Sequence, residues 1–498
     1  MEAGFRRRFR PLELLTEEQV AAIHRGALDV LQETGVLVEH ERALELLEQN
    51  GCPVDHDARR ARFPPGLVEE CVRKCPSSFR LKSRDPDKDI VMGGDTVYFM
   101  PFPGLQALDT ATWEPRLATR GEYYDVLRIL DALDNVHSLM NYTPYQTYAD
   151  VPTAMQVPEG VAARLRTFSK NILQAGRAPG TQVFVNNMAK TLGIDIGGGL
   201  RCHPPLSFPR MQVDAAWRLA EEGFGTMAET VPVFGSTGPA TVAGSLVSGT
   251  AEALATIVLM QLIRPGSRVW LLHFAHPQNA GGDSRAFGSV GSSLSRVMCC
   301  QMWRHYGVPT FINSGGPSSS KRIDFQCGYE KGIGALLAAL AGANIIALQG
   351  GVYGAETFHP LQAILDDDIA GMIGRFIEGV EVTDETLAID LINAIGPSPG
   401  SYLESPHTHK WRQLEEYVPE VADTLSYQQW EERGRKSALD YAGERMEQIL
   451  ASHRPMPLTS GQEQAIEDIL NDARAYYRRE GMISDDEWTA YQTMLAEN

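Results

Sequence analysis

The chain has 498 residues, of which 43% are hydrophobic and 22% charged, with a formal net charge of −18. That balance supplies a large folded core and excludes a chain dominated by disorder, while the acidic excess excludes a general nucleic-acid binder, which would be basic. The 7 cysteines are odd in number and scattered, which excludes a disulfide framework and points to a reducing compartment.

Residues 1–95 read as a mostly helical segment. No apolar stretch follows the basic residues between Met1 and Pro11, so no secretory signal is read and a cytoplasmic location is expected. Thr16, followed by Glu18, Gln19 and an apolar-periodic run to Leu31, predicts a capped amphipathic helix. Glu41 to Gln49 repeats the pattern until Gly51 stops it, and Pro64 to Cys75 predicts a third helix. Cys71 and Cys75 lie four apart on that helix; without nearby His or Cys partners they read as helix residues rather than zinc ligands.

From Val97 the pattern alternates. Short β-branched or aromatic runs predict strands at Val97–Met100, Val136–Asn141, Asn171–Ala175, Pro204–Phe208, Val231–Gly235, Arg268–His273, Thr310–Asn313 and Asn344–Gln349. Helical stretches between them include Gly121–Ala132, Met211–Glu222, Ser245–Ile263, Ser293–Tyr306 and Tyr329–Ala341. Eight strand–helix units are the number for an α/β protein of the TIM (β/α)8 barrel type, here over residues 96–380. An open doubly wound sheet would give similar local patterns, but neither G-x-G-x-x-G nor a P-loop is present. No apolar run is read as approaching the length of a bilayer span, so no membrane contact is expected. Residues 381–498 return to helix at Glu385–Ile395, Tyr427–Ser452 and Gln462–Arg479, with prolines between.

In such a barrel chemistry sits at the C-terminal ends of the strands. The candidates there are Tyr98 and Phe102 at the first strand, Tyr142 after the second and Phe234 at the fifth. His273, Phe274 and Arg285 follow at the sixth, Asn313 at the seventh, and Gln349, Tyr353, Phe358 and His359 at the eighth. The set is rich in aromatic faces and neutral polar groups and poor in carboxylates. That suits a quaternary ammonium, which attracts π-faces but donates no strong hydrogen bond; the same aromatics would equally close the barrel mouth or pack under loops. His273, His276 and Asp283 invite a metal reading, but they lie on a loop without helical spacing, and no tightly bound metal is expected. Asp366, Asp367 and Asp368 read as a solvated helix face with one helix-terminus carboxylate. Lys321 and Asp324 read as an ion pair, over the site or on the surface.

Several motifs in order resemble one family. Gly235-Ser236-Thr237-Gly238-Pro239-Ala240-Thr241-Val242-Ala243-Gly244 resembles the G-x-x-x-P-x-T-x-A-G run of the trimethylamine methyltransferase family, with Glu252, Gln261-Leu262 and Pro265-Gly266 following as in that family. Arg10-Pro11-Leu12, Thr16 to Val20, Glu33-Thr34-Gly35-Val36 and Gly51 to Asp55 are similar to its opening. Asp109, Arg116 and Thr119, then Gly315, Lys321, Asp324, Gln326, Gly328 and Glu330, then Leu365 to Ile369, and finally His407-Thr408 with Arg412 extend the likeness over nearly the whole chain. Each piece is weak alone; their order and spacing make them specific.

The resemblance implies a TIM-barrel enzyme that moves a methyl group from a methylamine to the cobalt of a corrinoid (cob(I)alamin becoming methylcobalamin) carried by a separate cognate protein. Some members carry pyrrolysine; every residue here is one of the standard twenty, which is similar to the branch that includes glycine betaine methyltransferases. Gly291-Ser292-Ser293-Leu294 departs from the proline and glutamate of many relatives and leaves the betaine open. The expected partners are a small quaternary amine and the corrinoid protein, with a homo-oligomer expected for a barrel of this size. A quaternary ammonium leaves as a neutral tertiary amine, so no general acid is needed, and trimethylamine is not an expected substrate. The alternatives are a methoxylated or thioether donor, which would call for a metal or an acid, and a non-catalytic betaine-binding protein.

Overall fold

The computed structural model of the chain describes residues 3–174, 180–278 and 285–496. Its centre is eight strand–helix units in chain order. The strands are β1 (Thr96–Met100), β2 (Ser138–Leu139), β3 (Asn171–Leu173), β4 (Ile196–Arg201), β5 (Thr226–Thr230), β6 (Val269–His273), β7 (Thr310–Ile312) and β8 (Ile345–Ala347). The helices that follow them are α1 (Arg120–Ala132), α2 (Gln156–Thr167), α3 (Thr181–Leu192), α4 (Arg210–Glu222), α5 (Val242–Ile263), α6 (Val290–Tyr306), α7 (Phe325–Ala341) and α8 (Pro360–Ile377).

The strands form one curled sheet in the order β1-β8-β7-β6-β5-β4-β3-β2, each neighbouring pair parallel. A ninth strand, Phe5–Arg6, lies antiparallel on β1. The two edges approach each other: the His137 N–H donates to the Phe99 carbonyl at 2.9 Å. The Phe5 ring sits against both residues, with centroids 6.0 and 6.2 Å away.

Alternation along the strands sorts the side chains. Tyr98, Met100, Leu173, Met227, Trp270, Leu272, Phe311, Ile345 and Ala347 pack together on the concave side. Val97, Phe99, Leu200, Ala228, Val269, Leu271, Ile312 and Ile346 pack outward with the helices. The hairpin of Phe79–Leu81 with Ile90–Met92 brings Leu81, Ile90 and Met92 to the concave cluster from the N-terminal end.

Two predicted strands are misplaced by the β-branched runs. The fourth is Ile196–Arg201, not Pro204–Phe208, and the fifth is Thr226–Thr230, not Val231–Gly235. Ser207–Phe208 instead pairs with Val36–Val38 near the N-terminus, and Val233–Phe234 pairs with His276–Pro277 outside the main sheet. The glycines that make Ile196–Arg201 look like a loop are spatial necessities. A Cβ on Gly197 would lie 2.4 Å from Trp270, and one on Gly199 1.7 Å from Glu229 Oε1. The predicted end of the third strand, Ala175, lies outside the described residues.

The first 95 residues carry the expected helices at Glu17–Asp29, Glu41–Gln49 and Pro65–Lys74. Thr16 caps the first through a reciprocal bond pair with Gln19, and Gly51 sits at φ 85° just past the end of the second. The segment also contains short strands, so it is less purely helical than its pattern suggests. These helices pack on α5. With 22 residues and no charged side chain but Glu252, α5 is apolar enough to cross a membrane, which corrects the reading that no run approaches that length; it is mostly buried between the sheet and the N-terminal helices. A helix buried on all sides needs no polar face.

The predicted Tyr427–Ser452 helix breaks into Tyr427–Glu432 and Ala438–Ser452 around Gly434 at φ 86°. Ala438–Ser452 packs on α1 and α8, and Ser460–Arg479 on α2 and α3. The latter is tied by Arg166 to Glu463 and Glu467, and by Arg474 to Glu159. The acidic run of α8 is no solvated face. Asp366 lies beside Lys331 at 3.2 Å, Asp367 accepts from Asn135 Nδ2, and Asp368 accepts from Tyr417 and the amides of residues 420–422.

Glu252 on α5 is buried with one oxygen bonded to the Leu206 amide at 3.1 Å and the other without a partner. Burial pushes its carboxyl up to about 7. A folded-state value above the unfolded one gives stability that is present at acid pH and lost as pH rises toward 7. Glu252→Gln should therefore gain on the natural chain by up to about 3 kcal/mol between pH 4.5 and 8. Thermal unfolding of both proteins across that range checks it; a constant difference in Tm would contradict it.

Candidate functional site at the strand C-termini

Two groups of side chains meet at the C-terminal ends of the strands. The first is aromatic. Phe102, just past β1, lies 5.8 Å from Phe274 past β6, and Phe274 lies 5.0 Å from His276 and 6.0 Å, stacked, from Phe287. Gly316 and Gly351 back onto Phe102 and Gly354 onto Phe287, each so near that a Cβ would lie 2.6 to 3.1 Å from a ring carbon. The cluster is thus held between the loops after β1, β6, β7 and β8.

The second group is polar. Arg201 at the end of β4 bonds Glu229 of β5 at 2.9 Å, and Glu229 is buried. The Glu229 carboxylate holds the Arg201 guanidinium more firmly protonated than usual, with a smaller contribution from Tyr142. Arg164 of α2, buried and within electrostatic reach of Tyr142, is bonded to Gln174 and to the Met140 carbonyl.

Beneath the mouth a buried pair ties loops together. Lys331 Nζ on α7 donates to the carbonyls of Gly316 at 2.8 Å and Gly351 at 3.0 Å, while Asp366 accepts from the Gly350 amide at 2.8 Å. Burial pushes the Asp366 carboxyl up to about 6, against the opposing pull of Lys331. Glu330 fastens the loop after β7 by accepting from the Ser318 hydroxyl and the Ser319 amide.

The predicted residues divide. Phe102 and Phe274 join the aromatic cluster, and Tyr142 lies by the Arg201–Glu229 pair. Arg285 is exposed, bridged to Gln278, and its charge acts on His276. Asn313 and Gln349 are buried with their side-chain oxygens unpartnered; Gln349 Nε2 donates to the Asn135 carbonyl at 3.0 Å. Tyr353 is partly exposed at φ 51°, with Lys321 Nζ 5.0 Å over its ring.

The other five sit apart. Tyr98 lies toward the N-terminal end of the sheet, its hydroxyl accepting from the Val91 amide at 3.0 Å. Phe234 packs beside Pro277 and the start of α6, since its strand pairs outside the main sheet. His273 faces the helix layer, with Ser295 at 2.9 Å and Thr230 at 3.2 Å. Phe358 is core, 5.9 Å edge-on to Tyr145. His359 caps α8 through the Leu361 amide, and burial pushes its ring down to about 4.

His273 and His276 thus point to different neighbours, and Asp283 lies outside the described residues. Among the described residues no three His, Cys, Asp or Glu side chains are grouped to hold a metal. Asp324 does not pair with Lys321 but caps α7 through the Cys327 amide. Phe287, Arg201 and Glu229 are mouth residues that strand-end reading leaves out of its set. The last two follow from the misplaced strands; the signal for them was the charged Glu229 inside the β-length run Thr226–Thr230.

Residues 2–476 match the family model described as trimethylamine methyltransferase. The chain belongs to that family. It is 29% identical over 460 residues to the glycine betaine methyltransferase of Desulfitobacterium hafniense strain Y51, covering 89% of this chain and 94% of that one. It is 28% identical over 481 residues to the trimethylamine methyltransferase of D. hafniense strain DSM 10664 / DCB-2, covering 93% and 94%. A solved structure of the monomethylamine methyltransferase of Methanosarcina barkeri aligns with 86% of this chain and 92% of its own, at 12% identity and a TM-score of 0.47. The protein is a methyltransferase by family.

The Arg201–Glu229 pair depends on the empty space at Gly199. Gly199→Ala should push the Glu229 carboxylate off Arg201 and cost about 1–3 kcal/mol of stability from overpacking. Urea unfolding gives the stability and methyl-transfer rates the catalytic effect; an unchanged midpoint would contradict it.

Proposed function

We propose that this methyltransferase takes a methyl group from a quaternary amine carrying a carboxylate, glycine betaine or a related betaine, and passes it to a corrinoid on a separate cognate protein. The observation that carries the reading is the aromatic cluster of Phe102, Phe274, His276 and Phe287 at the strand C-termini, in a chain of this family. The likeness to a glycine betaine methyltransferase supports it.

The His137–Phe99 bond across the two sheet edges supports reading the curled sheet as a closed (β/α)8 barrel. On that reading residues 1–95 and 381–498 are additions to a catalytic barrel of residues 96–380. The burial of α5 supports a soluble protein, and a cytoplasmic location and a homo-oligomer belong to the same proposal.

The chain's own residues do three things in this reading. The aromatic faces orient the methylated nitrogen by cation–π attraction. The packed loops exclude water from it. The lining supplies no acid because the amine departs neutral and needs no proton. A reduced corrinoid, when docked, supplies the nucleophile that accepts the methyl group.

The mouth rim fits docking of such a protein. The starts of α6 and α7 and the loops after β1 and β8 face that way by topology, and they expose Leu105, Leu117, Val290, Leu294, Phe325, Tyr329 and Tyr353, with Phe325 84% and Val290 76% exposed. Phe325 and Tyr329 lie ring to ring at 5.4 Å, and contiguous exposed apolar surface marks interaction sites.

Two outcomes follow. With reduced cobalamin as acceptor, glycine betaine or another betaine should be demethylated and trimethylamine should not; faster methylation from trimethylamine refutes the reading. Phe325→Glu should slow transfer to the corrinoid protein by about tenfold or more, the loss of one buried aromatic contact, and leave the rate with free cobalamin unchanged. Equal loss with both acceptors would remove Phe325 from the docking face.

A further inference from the structure

Arg296 stands out among the buried charges. It lies on the buried face of α6, one residue beyond Ser295, whose hydroxyl meets His273 at 2.9 Å. Only 2% of it is exposed, and its Nε and Nη2 have no hydrogen-bond partner. No carboxylate lies in ion-pair reach of it among the described residues. Burial alone pushes the guanidinium down to about 10, so it is charged at neutral pH. A buried cation without a counter-ion is strongly unfavourable, and native chains retain one where something else completes it.

His276, on the short strand against which α6 packs, is left in the same state. It is buried, both ring nitrogens lack partners, and it touches Phe274 and Phe287 of the aromatic cluster. The charge of Arg296 acts on it, and burial with that charge and Arg285 pushes the ring down to about 3. A neutral imidazole has one N–H to give. Beyond β7, the Asn313 side-chain oxygen is also unpartnered. Other cations near the strand ends are satisfied: the buried Lys331 by Asp366 and two carbonyls, the buried Arg164 by Gln174, and the half-buried Arg201 by Glu229.

We infer that Arg296, with His276, forms a subsite for the carboxylate of the amine substrate, beside the aromatic faces that take its methylated nitrogen. The inference rests on the betaine reading and adds the residue that makes the site select carboxylated quaternary amines over choline, trimethylamine and other amines without an acid group. A planar guanidinium offers two parallel donors to a carboxylate. Bound there, the carboxylate anchors the substrate at a charge that does not change during transfer, while the nitrogen loses its charge; the anchor therefore holds substrate and transition state alike without trapping the cation.

The test is calorimetric binding to the full-length protein without its corrinoid partner, using glycine betaine, proline betaine and choline as probes. The natural chain should bind a betaine more tightly than choline. Arg296→Met should weaken that betaine by about tenfold or more, the loss of a charge-assisted pair, with choline changed by less than about twofold. Because the variant removes an unpaired buried cation, its Tm without ligand should not fall. A measurement on the natural chain stands beside it: 3,3-dimethylbutyrate, a betaine with carbon in place of nitrogen, should compete with the betaine. Undiminished betaine binding by Arg296→Met, equal binding of betaine and choline by the natural chain, or failure of 3,3-dimethylbutyrate to compete would each overturn the subsite while leaving the betaine reading standing. Methyl transfer from trimethylamine with no binding of either betaine would overturn the betaine reading and the subsite with it.

Discussion

The space on the concave side of the curled sheet governs the rest of the molecule. Trp270 fills one level of it, against the glycines at 197 and 225, and Glu229 fills the next against Gly199. Side chains on neighbouring strands cannot both be large at one height, so β4 gives up its own at alternate positions. That concession brings Glu229 to Arg201 at the end of the strand. Everything above that level, including the Phe102–Phe274–Phe287 cluster, stands on a floor of Met100, Leu272 and Phe311.

The same constraint explains what could be read from the chain. Six of the eight strands fall where β-branched and aromatic runs place them, and the five helices predicted between them end where expected and start no more than four residues early. These elements obey local pattern because their faces are apolar on both sides. β4 and β5 do not. Gly197-Gly198-Gly199 has poor strand propensity, and Thr226–Thr230 carries Met, Ala and Glu, so the neighbouring Val231–Phe234 run looks like the better strand. What makes β4 a strand is the bulk of Trp270 and Glu229 on its neighbours, a tertiary fact that no window of the sequence contains.

The site was legible in kind and less so in place. Aromatic faces with neutral polar groups are what the mouth presents, and Phe102 and Phe274 belong to it. Tyr98 is lost to the other end of the sheet because alternate residues of one strand differ in height as well as in face. His273 is lost because period-2 alternation turns it outward, while Leu272 and Phe274 turn in. Phe287 comes from the loop after β6, which a list of strand ends omits. The run of three aspartates misled for a related reason: acids on a helix read as solvated unless partners are known, and here Lys331, Asn135 and the segment 417–422 supply them from 35 or more residues away along the chain.

Electrostatic balance decides what such a mouth can do with a methylated cation. A carboxylate placed against the nitrogen would bind it tightly and then oppose the reaction, because the charge vanishes as the methyl group leaves. Three buried acids near the mouth are engaged elsewhere: Glu229 with Arg201, Glu330 with Ser318 and Ser319, Asp366 with Lys331 and Gly350. Aromatic faces remain, and their attraction for a cation is about 0.5–2 kcal/mol each, enough to orient the nitrogen and too little to trap it. Binding strength has then to come from a part of the ligand whose charge is constant. A buried cation with no carboxylate in ion-pair reach among the described residues, as Arg296 is, meets that requirement, and an acid among its neighbours would cancel it.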